Sequence, residues 1–192
     1  MAFDDEGECG LVYGEERKGS SGQTGPAAIL SQDAKGLRGR RFRLTILIAT
    51  GFGVGYSPLA PGTLGAAIGV GIYYLLVLLG GLNITVPLAS VALFFAGVCL
   101  SSIGEGHFQR KDSSRIVIDE IASFPLTMLF ISPSPLRVAV AFALNRAADI
   151  AKPFPAWQIQ RLKGGWGVML DDVVAAVYAN LLLRLLILLA KI

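Results

Sequence analysis

From Leu44 to Gly104 the sequence contains no charged residue, and few folds tolerate so long an uncharged stretch. It includes two nearly continuous apolar segments, residues 65–82 and 84–103, each close to the length that crosses the hydrocarbon of a bilayer as a helix. The residues Asn-Ile-Thr at 83–85 are suited to a turn between them. The stretch therefore predicts two spanning helices joined by a short connection.

The composition of the whole chain agrees with a membrane protein. Of its 192 residues, 53% are hydrophobic and only 16% are charged, whereas ordinary soluble domains carry about 25% charged residues. The formal charge of +3 is not arranged as a basic stripe interleaved with aromatic residues, which a nucleic-acid-binding protein would need. We therefore expect the membrane, and no nucleic acid, as a partner.

Further helices are predicted after the uncharged stretch. Residues 121–131 and 136–148 are apolar but too short to span a bilayer, and Ser-Pro-Ser-Pro separates them, so they predict a helical hairpin that is buried or partly inserted. Residues 173–190 predict a last apolar helix, and the alternation typical of strands is absent. The expected fold is all-α: a compact, helical, membrane-associated domain with two spanning helices, a helical hairpin and a C-terminal apolar helix.

The first part of the chain has a different character. Residues 1–41 mix glycine, serine, glutamine and charges without apolar periodicity, which predicts a disordered N-terminal tail before one helical domain at 42–192. The tail has neither the apolar core nor the cleavage site of a signal peptide. A basic cluster at its end fits the cytoplasmic flank of a membrane segment. The members of this cluster are Lys35, Arg38, Arg40, Arg41 and Arg43.

Four residues whose side chains could take part in chemistry are given structural roles. Cys9 and Cys99 lack the CxxC spacing of a zinc site and do not suggest a disulfide framework. His107 is interpreted as a boundary side chain. Asp112 is expected to cap a helix that begins near Ser113.

The acidic residues of the body lie at segment ends, and the expected topology brings them to one membrane face. Two adjacent pairs, Asp119–Glu120 and Asp171–Asp172, border apolar helices, where unpaired like charges are costly. Four carboxylates gathered there would suit a hard cation, Mg²⁺ or Mn²⁺, rather than zinc. Neutralisation by salt bridges is equally open. The candidate cations for such bridges are Arg115, Arg146, Arg161 and Lys163.

A second group of interest is RAADIAKPFP, residues 146–155. Arg146, Asp149 and Lys152 are spaced three apart and share one face if the helix lasts until Pro153. A guanidinium and an ammonium beside a carboxylate could hold a phosphate next to a metal. The alternative is an interfacial anchor that pairs with lipid headgroups.

A glycine- and proline-rich loop, TGFGVGYSPLAPGTLG at 50–65, precedes the first apolar helix. Backbone N–H groups at a helix start attract anions, and Gly62 and Thr63 stand where such a start is expected. The spacing is not that of a Walker loop. Taken alone, the loop is better explained as a membrane-entry turn than as a phosphate cradle.

Together these groups resemble the phosphatidylglycerophosphatase A family. The matching motifs are, in order, SPLAPGTLG, RKDSSRIVIDE, RAADIAKPFP and GGWGVMLDDVVA, over about residues 50–180. The resemblance implies a helical, Mg²⁺-dependent membrane phosphatase that converts phosphatidylglycerophosphate to phosphatidylglycerol. A bacterial inner membrane is expected, and with the basic cluster inside, the expected topology places the active site at the cytoplasmic face. Small departures, among them Asn145 and Ser123 in place of an aromatic residue and a glycine, leave every charged motif residue intact.

The expected site combines these patterns with the resemblance. The expected metal ligands are Asp119, Glu120, Asp171 and Asp172, and the expected catalytic carboxylates are Asp149, Asp171 and Asp172. The expected substrate-binding residues are Gly62, Thr63, Arg146 and Lys152. The reaction is metal-assisted hydrolysis of a phosphomonoester, with either water or a carboxylate as the attacking group. The main alternative is a small membrane transporter or channel subunit with a carboxylate cation site, and a purely structural membrane protein is the second.

Overall fold

The computed structural model describes Gly39 and residues 42–111 and 113–191, and every regular element within these residues is helical. The predicted all-α fold is confirmed. Apart from Gly39, the expected tail at 1–41 lies outside the described residues, and so does Asp112. The helices are, in chain order, α1 (42–49), α2 (Pro61–Gly80), α3 (Val86–Phe108), α4 (Ile118–Thr127), α5 (Pro135–Ala151), α6 (Ala156–Ile159) and α7 (Gly165–Ala190).

The chain reverses its direction between α2 and α3. A π-helical turn at Gly81–Thr85 joins them and contains the predicted turn residues. A methyl group on Gly65, near the start of α2, would lie 3.0 Å from Val117. One on Gly104, near the end of α3, would lie 3.0 Å from Ile116. Since the two distant ends meet the same short segment, α2 and α3 form an antiparallel pair.

Two helical stretches are long and apolar enough to cross a membrane, namely Pro61–Phe108 and Gly165–Ala190. The first contains both predicted spanning segments, and the second contains the predicted C-terminal helix. Their outer surfaces carry large exposed apolar side chains, such as Leu78 at 82% and Leu188 at 75% exposure. Apolar exposure of this kind on long helices is what contact with lipid requires.

The central helix of the bundle is α4, which is buried on nearly all sides. It packs against α2, α3 and α7 more extensively than against α5, and α5 packs mainly on α7. The two helices of the expected hairpin are consecutive and contact each other, but each packs more extensively on another helix. A glycine allows α2 to approach α4 closely, because a methyl group on Gly69 of α2 would lie only 2.8 Å from the carbonyl oxygen of Ile121 in α4.

The start of α4 also differs from the prediction. The helix begins at Ile118 and not near Ser113. The intervening residues form a turn in which the Ile116 N–H donates to the Ser113 carbonyl at 2.8 Å. The Val117 N–H donates to the Ala49 carbonyl of α1 at 3.0 Å. This link holds the segment against α1 and leaves Asp119 and Glu120 in the first turn of α4.

The start of α7 lies eight residues before the predicted one, at Gly165 instead of residue 173. The Gly165 N–H donates to Ser102 Oγ of α3 at 2.8 Å, so a neighbouring helix supplies a partner at the helix start. A methyl group on Gly165 would collide with the carbonyl oxygen of Val98. The carboxylates of Asp171 and Asp172 consequently lie about two turns inside α7 rather than ahead of it.

Candidate functional site

Three carboxylates meet between α4 and α7. Asp119, Glu120 and Asp172 each offer one ligand oxygen, and these oxygens all lie within 4.8 Å of one another. Asp119 is only 7% exposed and Asp172 only 4%, so the cluster belongs to the interior. The structure therefore brings residues of both predicted acidic pairs together, as the expected topology required.

Each of these carboxylates keeps a buried oxygen that has no hydrogen-bond partner within the described part of the chain. The three atoms are Asp119 Oδ1, Glu120 Oε2 and Asp172 Oδ2. Buried polar atoms are normally satisfied, so three unsatisfied carboxylate oxygens in one small volume are suited to bind a cation. An all-oxygen set without histidine or cysteine suits Mg²⁺ or Mn²⁺ better than zinc. The residues present fit such an ion.

Burial also controls the protonation of the α4 pair. Desolvation raises the pKa of Asp119 well above its ordinary value, and the charge of the adjacent Glu120 raises it further. Desolvation likewise raises the pKa of Glu120, an effect that a hydrogen bond with Asp119 partly offsets and the nearby Asp149 charge reinforces. Without a cation, the cluster therefore retains protons that a bound metal would displace.

Asp171 does not join the three-carboxylate cluster. Lys152 Nζ donates to Asp171 Oδ2 at 2.7 Å, and the backbone N–H of Asp172 donates to Asp171 Oδ1 at 3.1 Å. Lys152 follows the last residue of α5 in a left-handed conformation, with φ at 44°. The predicted common face of Arg146, Asp149 and Lys152 is therefore interrupted: Arg146 Nη1 lies 3.0 Å from Asp149 Oδ2, while Lys152 reaches α7.

The start of α2 borders the same cluster. A methyl group on Gly62 would collide with Glu120 Oε1 and lie 2.8 Å from Arg146 Nη2. The N-cap, Ala60, makes no side-chain hydrogen bond to the helix, so the first N–H groups of α2 lack a side-chain cap. Arg146 Nε and Nη1 are buried and have no partner in hydrogen-bond geometry among the described residues. Donors from α2 and α5 thus lie beside the carboxylates.

Three other residues with predicted roles are also placed. Thr63 is half-buried in the first turn of α2. The guanidinium of Arg115 lies over the rings of Tyr56 and Phe108, at 5.6 and 5.3 Å, so it makes cation–π contacts there. His107 is exposed near the end of α3 and makes an edge contact with Phe108, in agreement with a boundary role.

A buried polar network behind the cluster was missed in the sequence. Asn145 Nδ2 donates to Ser123 Oγ at 3.1 Å, and Thr127 Oγ1 donates to Asn145 Oδ1 at 3.0 Å. Ser123 Oγ in turn donates to the Glu120 carbonyl at 3.1 Å. Because Asn145 precedes Arg146, the network joins the backbone of a cluster residue to the helix turn that carries the arginine. Its signal in the sequence is polar residues on otherwise apolar segments of α4 and α5.

We expect Asn145→Leu to lower kcat/KM about tenfold and to lower the melting temperature by several degrees. The change removes the two hydrogen bonds that Asn145 makes with Ser123 and Thr127, which contribute about 1 kcal/mol each, and it loosens the register of α4 against α5. Assays of the expected phosphatase activity and thermal unfolding check both effects. Ser90→Ala is the control, because Ser90 Oγ is buried without a partner among the described residues and is expected to be dispensable. Unchanged activity and stability in Asn145→Leu would contradict the prediction.

Comparison with known proteins identifies the family of the chain. The sequence profile of the phosphatidylglycerophosphatase A family matches residues 47–187. A protein of Bacteroides thetaiotaomicron, named as a candidate phosphatidylinositol-3-phosphatase, is 40% identical over 148 residues, which cover 73% of this chain and 91% of that protein.

Two further relatives carry the name phosphatidylglycerophosphatase A. The protein of Haemophilus influenzae is 36% identical over 135 residues, which cover 69% of this chain and 82% of the relative. The protein of Escherichia coli is 33% identical over 134 residues, which cover 68% of this chain and 76% of the relative. No solved structure matches the chain. The chain therefore belongs to the phosphatidylglycerophosphatase A family of phosphoric monoester hydrolases.

Proposed function

We propose that the chain is a Mg²⁺-dependent lipid phosphatase that hydrolyses phosphatidylglycerophosphate to phosphatidylglycerol and phosphate. The observation that carries the proposal is the meeting of Asp119, Glu120 and Asp172 beside Arg146 and the start of α2. A cation site bordered by N–H donors suits a substrate that carries a phosphate group. A transporter would instead place its carboxylates midway along spanning helices, whereas these lie within about two turns of helix starts.

The carboxylates of Asp119, Glu120 and Asp172 would hold the cation. When bound, Mg²⁺ polarises phosphoryl oxygens and lowers the pKa of a bound water. Arg146 would donate to phosphate oxygens through Nε, which is buried and has no hydrogen-bond partner among the described residues, while Nη1 is paired with Asp149. The backbone N–H groups at Gly62 and Thr63 would add donors from the uncapped helix start. These donors would stabilise the charge that develops on the phosphoryl group.

Three other side chains complete the proposed site. Asp171 holds Lys152 at the edge of the site, and the Lys152 ammonium would offset negative charge in the transition state. Asp149 interacts with both Glu120 and Asp172, so it lies among the ionisable groups of the site. We assign to Asp149 the role of base or nucleophile in the attack on phosphorus.

The lipid and its location are part of the same proposal. The names of the relatives divide between a phosphatidylglycerophosphatase and a phosphatidylinositol phosphatase, and both substrates present a phosphomonoester at a membrane surface. The matching family and two relatives favour phosphatidylglycerophosphate. The basic flank of the first helix favours a cytoplasmic active site, and the bacterial relatives favour the inner membrane.

Phosphate release by the purified protein in detergent or liposomes tests this function. We expect release from phosphatidylglycerophosphate in Mg²⁺, at least about tenfold faster than release from phosphatidylinositol 3-phosphate. EDTA should abolish the activity, and added Mg²⁺ should restore it. Undiminished release in EDTA would remove the metal from the proposal, faster release from the inositol lipid would correct the substrate, and no release from either would refute the function.

The stabilising effect of Mg²⁺ is expected to grow with pH. Burial raises the pKa of Asp119 and of Glu120, so the folded metal-free protein keeps protons that the unfolded chain releases above about pH 4. Its stability therefore falls as the pH rises through these raised pKa values, while cation binding to the ionised carboxylates strengthens.

Thermal unfolding with and without Mg²⁺ measures this effect. At about pH 8 the gain in melting temperature should exceed the gain at about pH 5.5 by several degrees. Asp172→Asn should show a small gain at both values. An equal gain for the wild type at both pH values would contradict the assigned cause.

A further inference from the structure

The connection between α5 and α7 carries exposed apolar side chains next to the proposed site. We define the interfacial patch as Ile150, Phe154, Trp157 and Leu162, which are 75%, 74%, 62% and 47% exposed. Ile150 belongs to the last turn of α5, and the other three belong to a segment whose helix, α6, has only four residues. This segment lies outside both stretches that are long enough to span a membrane. Contact with the interior of a bilayer as a spanning helix therefore does not explain the patch.

Two side-chain contacts fix this segment against the site. At one end, Lys152 Nζ donates to Asp171 Oδ2 at 2.7 Å. Further along, Tyr178 Oη donates to the Phe154 carbonyl at 2.9 Å. Tyr178 lies about two turns after Asp171, and a long side chain on a helix points back toward the helix start. Phe154 therefore lies alongside α7 near the level of the carboxylates.

Exposed cations accompany the interfacial patch, and the acids that border its segment, Asp149 and Asp171, are paired with Arg146 and Lys152. Arg161 and Lys163 are both exposed in the same connection. From Ile150 to Leu170 the sequence contains no aspartate or glutamate. Exposed aromatic side chains with neighbouring cations are typical of the layer where a membrane meets water, and such cations attract anionic headgroups. The charge and the chemistry of this surface thus fit an anionic phospholipid.

We propose that the interfacial patch binds the glycerol and acyl part of the anionic lipid substrate, and that it gives the enzyme its preference for long-chain lipids. This inference rests on the proposed function, since the substrate is taken to be a lipid phosphomonoester. The phosphate of that lipid lies at the carboxylates and Arg146, and its apolar part extends along Phe154 and Trp157. A phosphomonoester with short acyl chains reaches the same phosphate site but gains less from the patch.

The test compares two phosphatidylglycerophosphates, one with long and one with short acyl chains, in the double variant Phe154→Ala/Trp157→Ala. For the long-chain lipid, KM should rise about tenfold while kcat stays within about twofold of the wild type. The ratio of kcat/KM for the long-chain over the short-chain substrate should fall about tenfold. Equal losses on the two substrates, or an unchanged ratio, would overturn the proposal.

Phe130→Ala is the matched control. Phe130 is also aromatic and is 52% exposed, but it lies in the connection between α4 and α5, outside the interfacial patch. Its substitution should leave the substrate ratio unchanged. A fall in the ratio equal to that of the double variant would show a general effect of exposed aromatic residues and would overturn the proposal.

Fluorescence tests the patch separately from catalysis. The chain has two tryptophans, and Trp166→Phe leaves Trp157 as the single reporter. In vesicles of anionic lipid brominated near the glycerol end of the acyl chains, Trp157 emission should be quenched by at least half, roughly the effect of direct contact with the interfacial layer. Absence of quenching would overturn the interfacial patch even in an active enzyme. Quenching together with an inactive wild type would support the patch and refute the proposed function.

Discussion

Replacing Asp172 by asparagine is expected to lower turnover by about a thousandfold or more and to raise the thermal stability of the metal-free protein. Asparagine keeps the shape of the side chain but removes a charged oxygen from the cluster. Losing the cation forfeits several kcal/mol of transition-state stabilisation, and each 1.36 kcal/mol changes a rate about tenfold. Removing one of three buried carboxylates also relieves desolvation and repulsion that the metal-free protein otherwise meets by retaining protons.

Phosphate release and thermal unfolding in EDTA measure the two effects of Asp172→Asn. Glu105→Gln is the control, because Glu105 lies in the last turn of α3 and outside the three-carboxylate cluster. Its turnover should remain close to that of the wild type. Wild-type turnover in Asp172→Asn, or a lower melting temperature of that variant in EDTA, would be inconsistent with the assigned cluster.

Gly62→Ala is expected to lower kcat/KM by about a hundredfold without unfolding α2. The added methyl group would collide with Glu120 Oε1 and approach Arg146 Nη2 to 2.8 Å, so at least one of these groups must move. A displacement of about 1 Å at a reacting centre costs about a hundredfold in rate. Alanine itself favours a helix, so the loss should appear in activity rather than in helix content.

Gly71→Ala is the matched variant on the same helix. A methyl group there would meet no atom within 4 Å, so activity should stay at the wild-type level and stability should rise slightly. Steady-state phosphate release and circular dichroism of both variants make the comparison. Similar activity in the two variants would show that the space around Gly62 does not matter to catalysis.

The sequence predicted the long helices of the fold but not all of their boundaries. Apolar runs identify a membrane-length helix well, which is why the segments now seen in α2, α3 and α7 were found. The early start of α7 was missed because glycines carry no hydropathy signal, although Gly165 is required where the helix meets Val98. The central position of α4 was not predicted because chain order favours pairing of α4 with α5. Its packing against α2 instead depends on the glycines Gly65 and Gly69 of α2, which chain order does not reveal.

Part of the candidate site could also be foreseen. Topology alone placed the two acidic pairs on one side, and the structure brings Asp119, Glu120 and Asp172 together. The sequence pattern could not show whether Asp171 or Asp172 joins the cluster, because neighbours on a helix point about 100° apart and either can face inward. The expected helix face through Lys152 failed because a residue before proline avoids the helical conformation, and Lys152 turns away at φ 44° to meet Asp171.

Equilibrium binding of Mn²⁺, followed by electron paramagnetic resonance, tests most directly whether Asp119, Glu120 and Asp172 hold a divalent cation. The wild type should bind Mn²⁺, and Mg²⁺ should displace it. Asp172→Asn should bind at least about tenfold more weakly, while Glu105→Gln should bind as the wild type does. Mn²⁺ binding by Asp172→Asn with wild-type affinity, or no binding by the wild type, would contradict the account.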